Sequence, residues 1–278
     1  MTIDEIIKQA LIEDLGDGDH TSIATIPLSA KGKAHLIVKQ NGIIAGIDVA
    51  KKVFNAVDPD IQIETFTTDG KIVRIDDVVF EVKGKARSIL SAERTALNFI
   101  QRMSGIATNT YKMVRKLEGL KTKILDTRKT TPANRAIEKL AVQIGGGHNH
   151  RFGLFDMIMI KDNHVDFAGG ITQAIQATNK YLKDNNKDLK IEIEVRNFQE
   201  LREAMETGGI DRIMLDNFTP DDLLMAVQVI SRKFETEASG GITMENIREY
   251  AETGVDFISV GALTHQIRSL DLSLKAVK

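Results

Sequence analysis

A chain of 278 residues with 42% hydrophobic content can bury a sizeable core, and a prior of roughly 100–200 residues per domain points to two domains. A formal net charge of −2 argues against a general nucleic-acid surface, and zero cysteines exclude a disulfide framework, a thiolate metal site and a cysteine nucleophile. The N-terminus is acidic and amphipathic and no apolar run approaches the ~18 residues of a membrane span, so the expectation is a cytoplasmic protein without membrane or nucleic-acid partners.

In chain order, Ile3, Ile6, Ile7, Ala10, Leu11 and Leu15 keep helical spacing, with Gly16 placed to end the helix. The segment GDGDHTS, residues 16 to 22, reads as a polar turn in which Asp or Thr caps the next element, with a cation site as the alternative. Residues 34 to 46 read as strand and IDVAKKVFNAV as a short helix. Residues 61 to 83 hold IQIETF and VVFEVKG around a TTDGK turn, the pattern of antiparallel strands. A long helix follows, with Ser91 as N-cap, Leu97, Ile100 and Met103 on one face and Gly105 near its end. The expected division is an N-terminal α+β sandwich domain with its linking helix over residues 1–105 and a second domain over 106–265, with 266–278 packing back on the first.

From Lys123 the rhythm changes to strand then helix. The predicted strands are TKILD, MIMIK, KIEIEV, RIMLD, ETEAS and FISVG, separated by segments with helical apolar spacing. That alternation implies a parallel sheet. Six units, with strands read as near-continuous apolar runs buried on both faces, fit an incomplete six-stranded α/β barrel better than an open doubly wound sheet. No GxGxxG follows the first strand.

The strand tips carry the chemistry. In order they hold Asp126-Thr127-Arg128-Lys129, Lys161-Asp162-Asn163, Glu194, Asp216-Asn217, Ser239-Gly240-Gly241 and Gly261. In a barrel such tips converge on one face, where substrate sites are built. The stretch from Asp126 to His164 also sets Arg135, Lys139, His148, His150, Arg151 and His164 around the triple glycine at 145–147. Fixed cations of this kind suit an anion with several carboxylates or phosphates. Carboxylates opposite cations in a phosphate site hold Mg²⁺ or sugar hydroxyls, and small residues at SGG and VGA allow backbone N–H groups to approach an anion.

DTRKTTP, GGGHNHR, IKDNH, IEIEV, MLDNF, EASGGIT and TGVDFISVGALTH, with SAERTALNFIQRMSGIAT earlier, resemble the quinolinate phosphoribosyltransferase family, the decarboxylating nicotinate-nucleotide pyrophosphorylases. The resemblance covers nearly the whole chain. It implies transfer of phosphoribosyl from phosphoribosyl pyrophosphate to quinolinate with decarboxylation, giving nicotinate mononucleotide, pyrophosphate and CO₂ in de novo NAD synthesis. It implies Mg²⁺ and no organic cofactor, and a homodimer with shared active sites, a trimer of such dimers being left open. Residue by residue, it puts quinolinate on Arg128, Lys129, His150, Arg151 and Lys161, with Arg94 supplied by the partner subunit. Phosphoribosyl pyrophosphate falls on Lys129, Lys161, Glu194, Asp216, Ser239, Gly240, Gly261 and His265. Lys129, Lys161, Glu194 and Asp216 are the implied catalytic set, and Glu194 and Asp216 the implied Mg²⁺ ligands, directly or through water.

The physical requirements agree. Two adjacent carboxylates repel one another and need fixed Arg forks to be held in one pose. Glycosyl transfer then needs the ring nitrogen held near C1 and the departing pyrophosphate stabilised. Two alternatives stand beside this reading: a homologue of the same shape acting on another acceptor, and a non-catalytic barrel that senses a phosphorylated metabolite.

Overall fold

A computed structural model describes residues 1–277. Its elements in chain order begin with α1 (Ile3–Leu15), α2 (His20–Thr25), β1 (Lys31–Val38), β2 (Gly42–Ile43), α3 (Ile47–Val57), β3 (Gln62–Thr65), β4 (Ile72–Val73), β5 (Val78–Lys85) and α4 (Ala86–Lys116). They continue with β6 (Lys123–Leu125), α5 (Arg135–Ile144), β7 (Ile158–Ile160), α6 (Asp162–Ala168), α7 (Ile171–Asp184), β8 (Ile191–Val195) and α8 (Phe198–Thr207). The chain ends with β9 (Arg212–Asp216), α9 (Pro220–Ile230), β10 (Glu235–Ser239), α10 (Ile247–Glu252), β11 (Phe257–Ser259), α11 (Ala262–His265) and β12 (Leu272–Val277). Two compact units form: the first from Met1–Lys112, Thr130–Gly146 and the segment from Leu263 onward, the second from Met113–Lys129 and Gly147–Ala262.

The first unit is an α+β sandwich on an antiparallel sheet of order β12-β1-β5-β3. Alternation in β1 buries Ala34, Leu36 and Val38, and α3 and α4 supply the opposite layer through Ala50, Val53, Phe54, Ala96, Leu97 and Ile100. Phe54 and Phe80 meet edge to face at 6.2 Å, a favoured aromatic geometry. The C-terminal strand β12 pairs with β1, Leu274 opposite Leu36. Thr2 closes a capping box with Glu5 on α1, Gly16 ends that helix at φ 51°, and Asp19 caps α2 by accepting from Ser22 N–H.

Three boundaries differ from the sequence reading. Residues 34 to 46 are not one strand; the chain breaks after Val38, and the short β2 pairs instead with β4. The long helix starts at Ala86, not after Ser91, whose hydroxyl donates to Asp19 at 3.1 Å from inside α4. Gly105 does not end α4 either. A Cβ there would collide with the carbonyl oxygen of Arg268 and meet Ser269 Cα at 3.0 Å, so the glycine permits close backbone approach.

The second unit is the incomplete barrel, six parallel strands in the order β6-β11-β10-β9-β8-β7, with no ladder joining β6 to β7 among the described residues. One face of these strands is apolar: Ile124, Ile160, Ile191, Ile193, Ile213, Leu215, Ala238 and Ile258 are all buried. The other face is not. Register places Met159 beside Glu192, Glu192 beside Arg212, Arg212 beside Glu235, and Glu237 between Met214 and Phe257. The expectation of near-continuous apolar strands is therefore corrected, since β8 and β10 alternate with period 2 and carry buried carboxylates inward.

Candidate active site

The cavity at the tips of the barrel strands holds about 330 Å³ and is lined by Thr127, Arg128, Lys129, His150, Arg151, Met159, Lys161, Met214, Glu237, Ser239 and Ser259. That volume falls in the range of small-molecule pockets, roughly 300–1,000 Å³. Each lining group has a local cause. After β6, Thr127 Oγ accepts from Lys129 N–H at 3.0 Å, which turns Arg128 and Lys129 at the strand tip. Asp126, fully buried, accepts the N–H of His150 at 2.8 Å and so ties the GGGHNHR loop to the same tip. His148 adds a bridge to Leu125, donating its N–H to Ile124.

Arg151 is the best-defined anion donor. It gives one N–H to the Met157 carbonyl at 3.2 Å, while its Nε is buried without a partner. Burial, then the neighbouring positive charge of Arg128, holds the Arg151 pKa below its usual value. Two like charges at one cavity, one with an unsatisfied buried donor, are pre-organised for an anion that bridges them. Across the cavity Lys161, at the tip of β7, donates to Glu194 Oε2 on β8 at 2.7 Å. His164 is used locally: its Nδ1 accepts the Lys161 N–H at 2.9 Å and steadies the start of α6.

At the tips of β9 and β10, Asp216 lies opposite Ser239 and accepts from Asn217 Nδ2 at 2.7 Å. Gly240 takes φ 94°, and a Cβ on it would drive into the Asn217 side chain and meet Asn217 N at 3.0 Å. Only glycine satisfies both restrictions.

Beneath these groups lies a buried ionic layer. Arg212 donates to Glu237 at 2.9 Å and to Glu235 at 3.0 Å, lies 3.7 Å from Glu192, and stacks 4.1 Å over the Phe257 ring. His150 Nδ1 accepts the Arg151 N–H at 2.7 Å, so its ring proton sits on Nε2, which points to Glu192 at 3.0 Å and to Glu237 at 3.5 Å. Burial pushes Glu192 up to about 7 against the pull of Arg212. Burial, then the charge of Glu192, pushes Glu237 to about 8. His150, Glu192 and Glu237 place ligand atoms within 4.8 Å of one another. The set does not suit Mg²⁺, which keeps several waters; here all three side chains are buried and Arg212 already supplies the countercharge. Glu194 and Asp216 suit it better, because both present hard carboxylate oxygens at strand tips.

The structure thus brings Arg128, Lys129, His150, Arg151, Lys161 and Ser239 to one cavity, with Glu194 tied to it through Lys161. Asp216, Gly240 and Gly261 lie in the same unit, whereas Arg94, exposed on α4, and His265, exposed at the end of α11, belong to the first. Arg135 and Lys139, which the sequence groups with the cationic stretch, lie on α5 in the first unit, Lys139 only 2% exposed. Sequence reading placed Asp126 at a strand tip without a role of its own and missed Glu192, Arg212 and Glu237 altogether. The period-2 spacing of Glu192 with Glu194 and of Glu235 with Glu237 was the available signal.

Models of the quinolinate phosphoribosyl transferase N-terminal and C-terminal domains match residues 19–104 and 106–275. The chain belongs to the quinolinate phosphoribosyltransferase family. It is 45% identical to quinolinate phosphoribosyltransferase [decarboxylating] 2b, mitochondrial, of Nicotiana tabacum, covering 98% of this chain and 81% of that one. A probable nicotinate-nucleotide pyrophosphorylase [carboxylating] of Bacillus subtilis is 42% identical over 99% of this chain and 93% of its own. The solved nicotinate-nucleotide pyrophosphorylase of Francisella tularensis superposes with a TM-score of 0.92 at 44% identity, covering 99% and 96% of the two chains. No helix among the described residues is long and apolar enough to cross a membrane.

Proposed function

We propose that this protein transfers phosphoribosyl from phosphoribosyl pyrophosphate to quinolinate and removes one carboxylate as CO₂, forming nicotinate mononucleotide for NAD synthesis. The observation that carries the reading is the Arg128–Arg151 pair at one cavity with a buried, unpartnered Nε donor. Family membership over nearly the whole chain supports it. A dicarboxylate fits this pair because each guanidinium offers a planar fork and together the two need a second negative charge. Arg128 and Arg151 hold the two carboxylates, and Lys129 and Lys161 stand between the two substrates and stabilise the leaving pyrophosphate. Glu194 both orients Lys161 and, with Asp216, serves the ribose; Ser239, Gly240, Gly261 and His265 take the phosphate side. His150 presents its ring to the acceptor from a fixed tautomer.

Glu194 and Asp216 would hold Mg²⁺, which when bound supplies charge neutralisation for the pyrophosphate. The protein's own part is to fix the ring nitrogen near the sugar carbon, exclude water and meet the developing charge with lysines. Once ribosylated, the ring nitrogen is cationic and accepts the electron pair that CO₂ leaves behind. No organic cofactor is required for that step. The reading includes a twofold dimer whose sites each receive Arg94 from the other subunit, and a cytoplasmic location.

The test is an absorbance assay with quinolinate, phosphoribosyl pyrophosphate and Mg²⁺, product identity being checked by mass spectrometry. Nicotinate mononucleotide and one CO₂ per turnover are expected from quinolinate, with no product from nicotinate. Equal use of nicotinate, or no product from either, overturns the proposal.

A further inference from the structure

The cavity contains one acid that the reaction so far leaves unused. Glu237 projects from the middle of β10 into the floor of the cavity, is 0% exposed, and lines the same space as Arg128, Arg151 and Lys161. Its two oxygens differ. Oε2 accepts from Arg212 at 2.9 Å, while Oε1 is buried with no hydrogen-bond partner. An unpartnered buried carboxyl oxygen at a substrate cavity costs free energy unless something there completes it.

The reaction has a matching gap. When CO₂ leaves, the C–C bond breaks and its electron pair stays on the ring carbon beside the ribosylated nitrogen; that carbon must then gain a proton. Arg128, Arg151, Lys129 and Lys161 are committed to substrate charge, and the His150 Nε2 proton is turned to Glu192. Resting on the proposed reaction, we infer that Glu237 is a catalytic residue whose carboxyl proton is delivered from Oε1 to this carbon. The O–H bond breaks, the C–H bond forms, and the carboxylate left behind is held by Arg212. Water reloads it after product leaves.

Of the charged groups around Glu237, Glu192 from β8, which also meets it in a side-chain hydrogen bond, opposes ionisation by its charge, while Arg212 from β9 and His150 from the loop after α5 favour it; Arg128, Lys129, Arg151 and Lys161 line the same cavity. A hydrogen bond from the Ser259 side chain on β11 also favours ionisation. The balance leaves Glu237 protonated near neutral pH, with a value of about 8. An acid with a pKa near the working pH is the efficient kind.

Glu237→Gln removes the proton and keeps the size. The expected result is a kcat lower by roughly 100-fold or more, the usual scale for a lost general acid, with KM for quinolinate within about threefold. The ribosylated dicarboxylate should accumulate in single-turnover quench experiments. In the unaltered protein kcat should fall as pH rises through about 8, and this limb should vanish in Glu237→Gln. Glu237→Asp, which keeps an acid, should recover part of the rate. If the unaltered protein makes nicotinate mononucleotide while Glu237→Gln keeps its rate and its alkaline limb, the inference is wrong and the proposed function stands. If the unaltered protein makes no product from quinolinate, the proposed function itself has failed. Circular dichroism and Tm establish that each variant is folded, and an unfolded Glu237→Gln leaves Glu237→Asp to decide by its pH profile: an unshifted, full-rate profile counts against the role.

Discussion

Arg151 shows how one residue concentrates the chemistry of this site. Its Nε has no partner, one N–H is fixed on the Met157 carbonyl, and Arg128 repels it. A bridging carboxylate removes both penalties at once. Arg151→Ala is expected to weaken quinolinate binding by about 2–5 kcal/mol, the cost of removing one member of a desolvated charged pair. Arg128 is more exposed and should lose less when replaced by alanine. Isothermal calorimetry reads both, with Tm unchanged within a few degrees; near-native affinity in both variants counts against the assignment.

Within single elements, the fold depends on what touches each strand and helix over its whole length. In α4, Gly105 is the position where the backbone of residues 268 and 269 comes closest. Alanine would gain about 1 kcal/mol in helix propensity. Against that, its Cβ meets backbone atoms, which cannot swing aside as a side chain would, and overpacking costs about 1–3 kcal/mol. Gly105→Ala should therefore lower Tm by a few degrees, since about 1 kcal/mol shifts Tm by roughly 2–4 °C at 150–250 residues. A raised Tm would mean that the 268–269 segment yields easily. In β8 and β10 the same dependence takes an electrostatic form, because one side chain, Arg212, reaches Glu192, Glu235 and Glu237 together.

For the whole molecule, the proposal of sites shared across a twofold axis can be tested directly. In a twofold dimer the same patch serves both subunits, so an arginine reaching across must do so twice. Arg94→Ala and Lys161→Ala are each expected to be inactive alone. Mixed dimers of the two would carry both lesions in one site and neither in the other. Refolding an equal mixture should return about a quarter of the unaltered activity, since half the dimers are mixed and each has one intact site. Activity no higher than in the separately refolded variants, with mixed dimers shown by native mass spectrometry, would place Arg94 outside the partner's site.

The sequence by itself determined the order of the main helices and of the six barrel strands, because period 3.6 and period 2 are local and most of those strands end beside a glycine or a charged residue. The break from antiparallel strands to strand–helix alternation at Lys123 was legible for the same reason. So was the placing of Arg128, Lys129, Lys161, Glu194 and Asp216 at the C-terminal ends of parallel strands, whereas Arg151 reaches the cavity from the loop between α5 and β7. Only the tertiary structure decided which face of each strand looks inward. A glutamate in a strand reads as solvated until register sets it beside an arginine on the next strand, and pairs such as Glu192 with Arg212 are separated by 20 residues or more of intervening helix and loop. Asp126 reads as one more acidic tip until the loop after α5 returns and its N–H meets that carboxylate. Burial then supplies what no spacing could: it raises the pKa of Glu237, a residue that lines the cavity, to about 8 and leaves one of its oxygens without a hydrogen-bond partner.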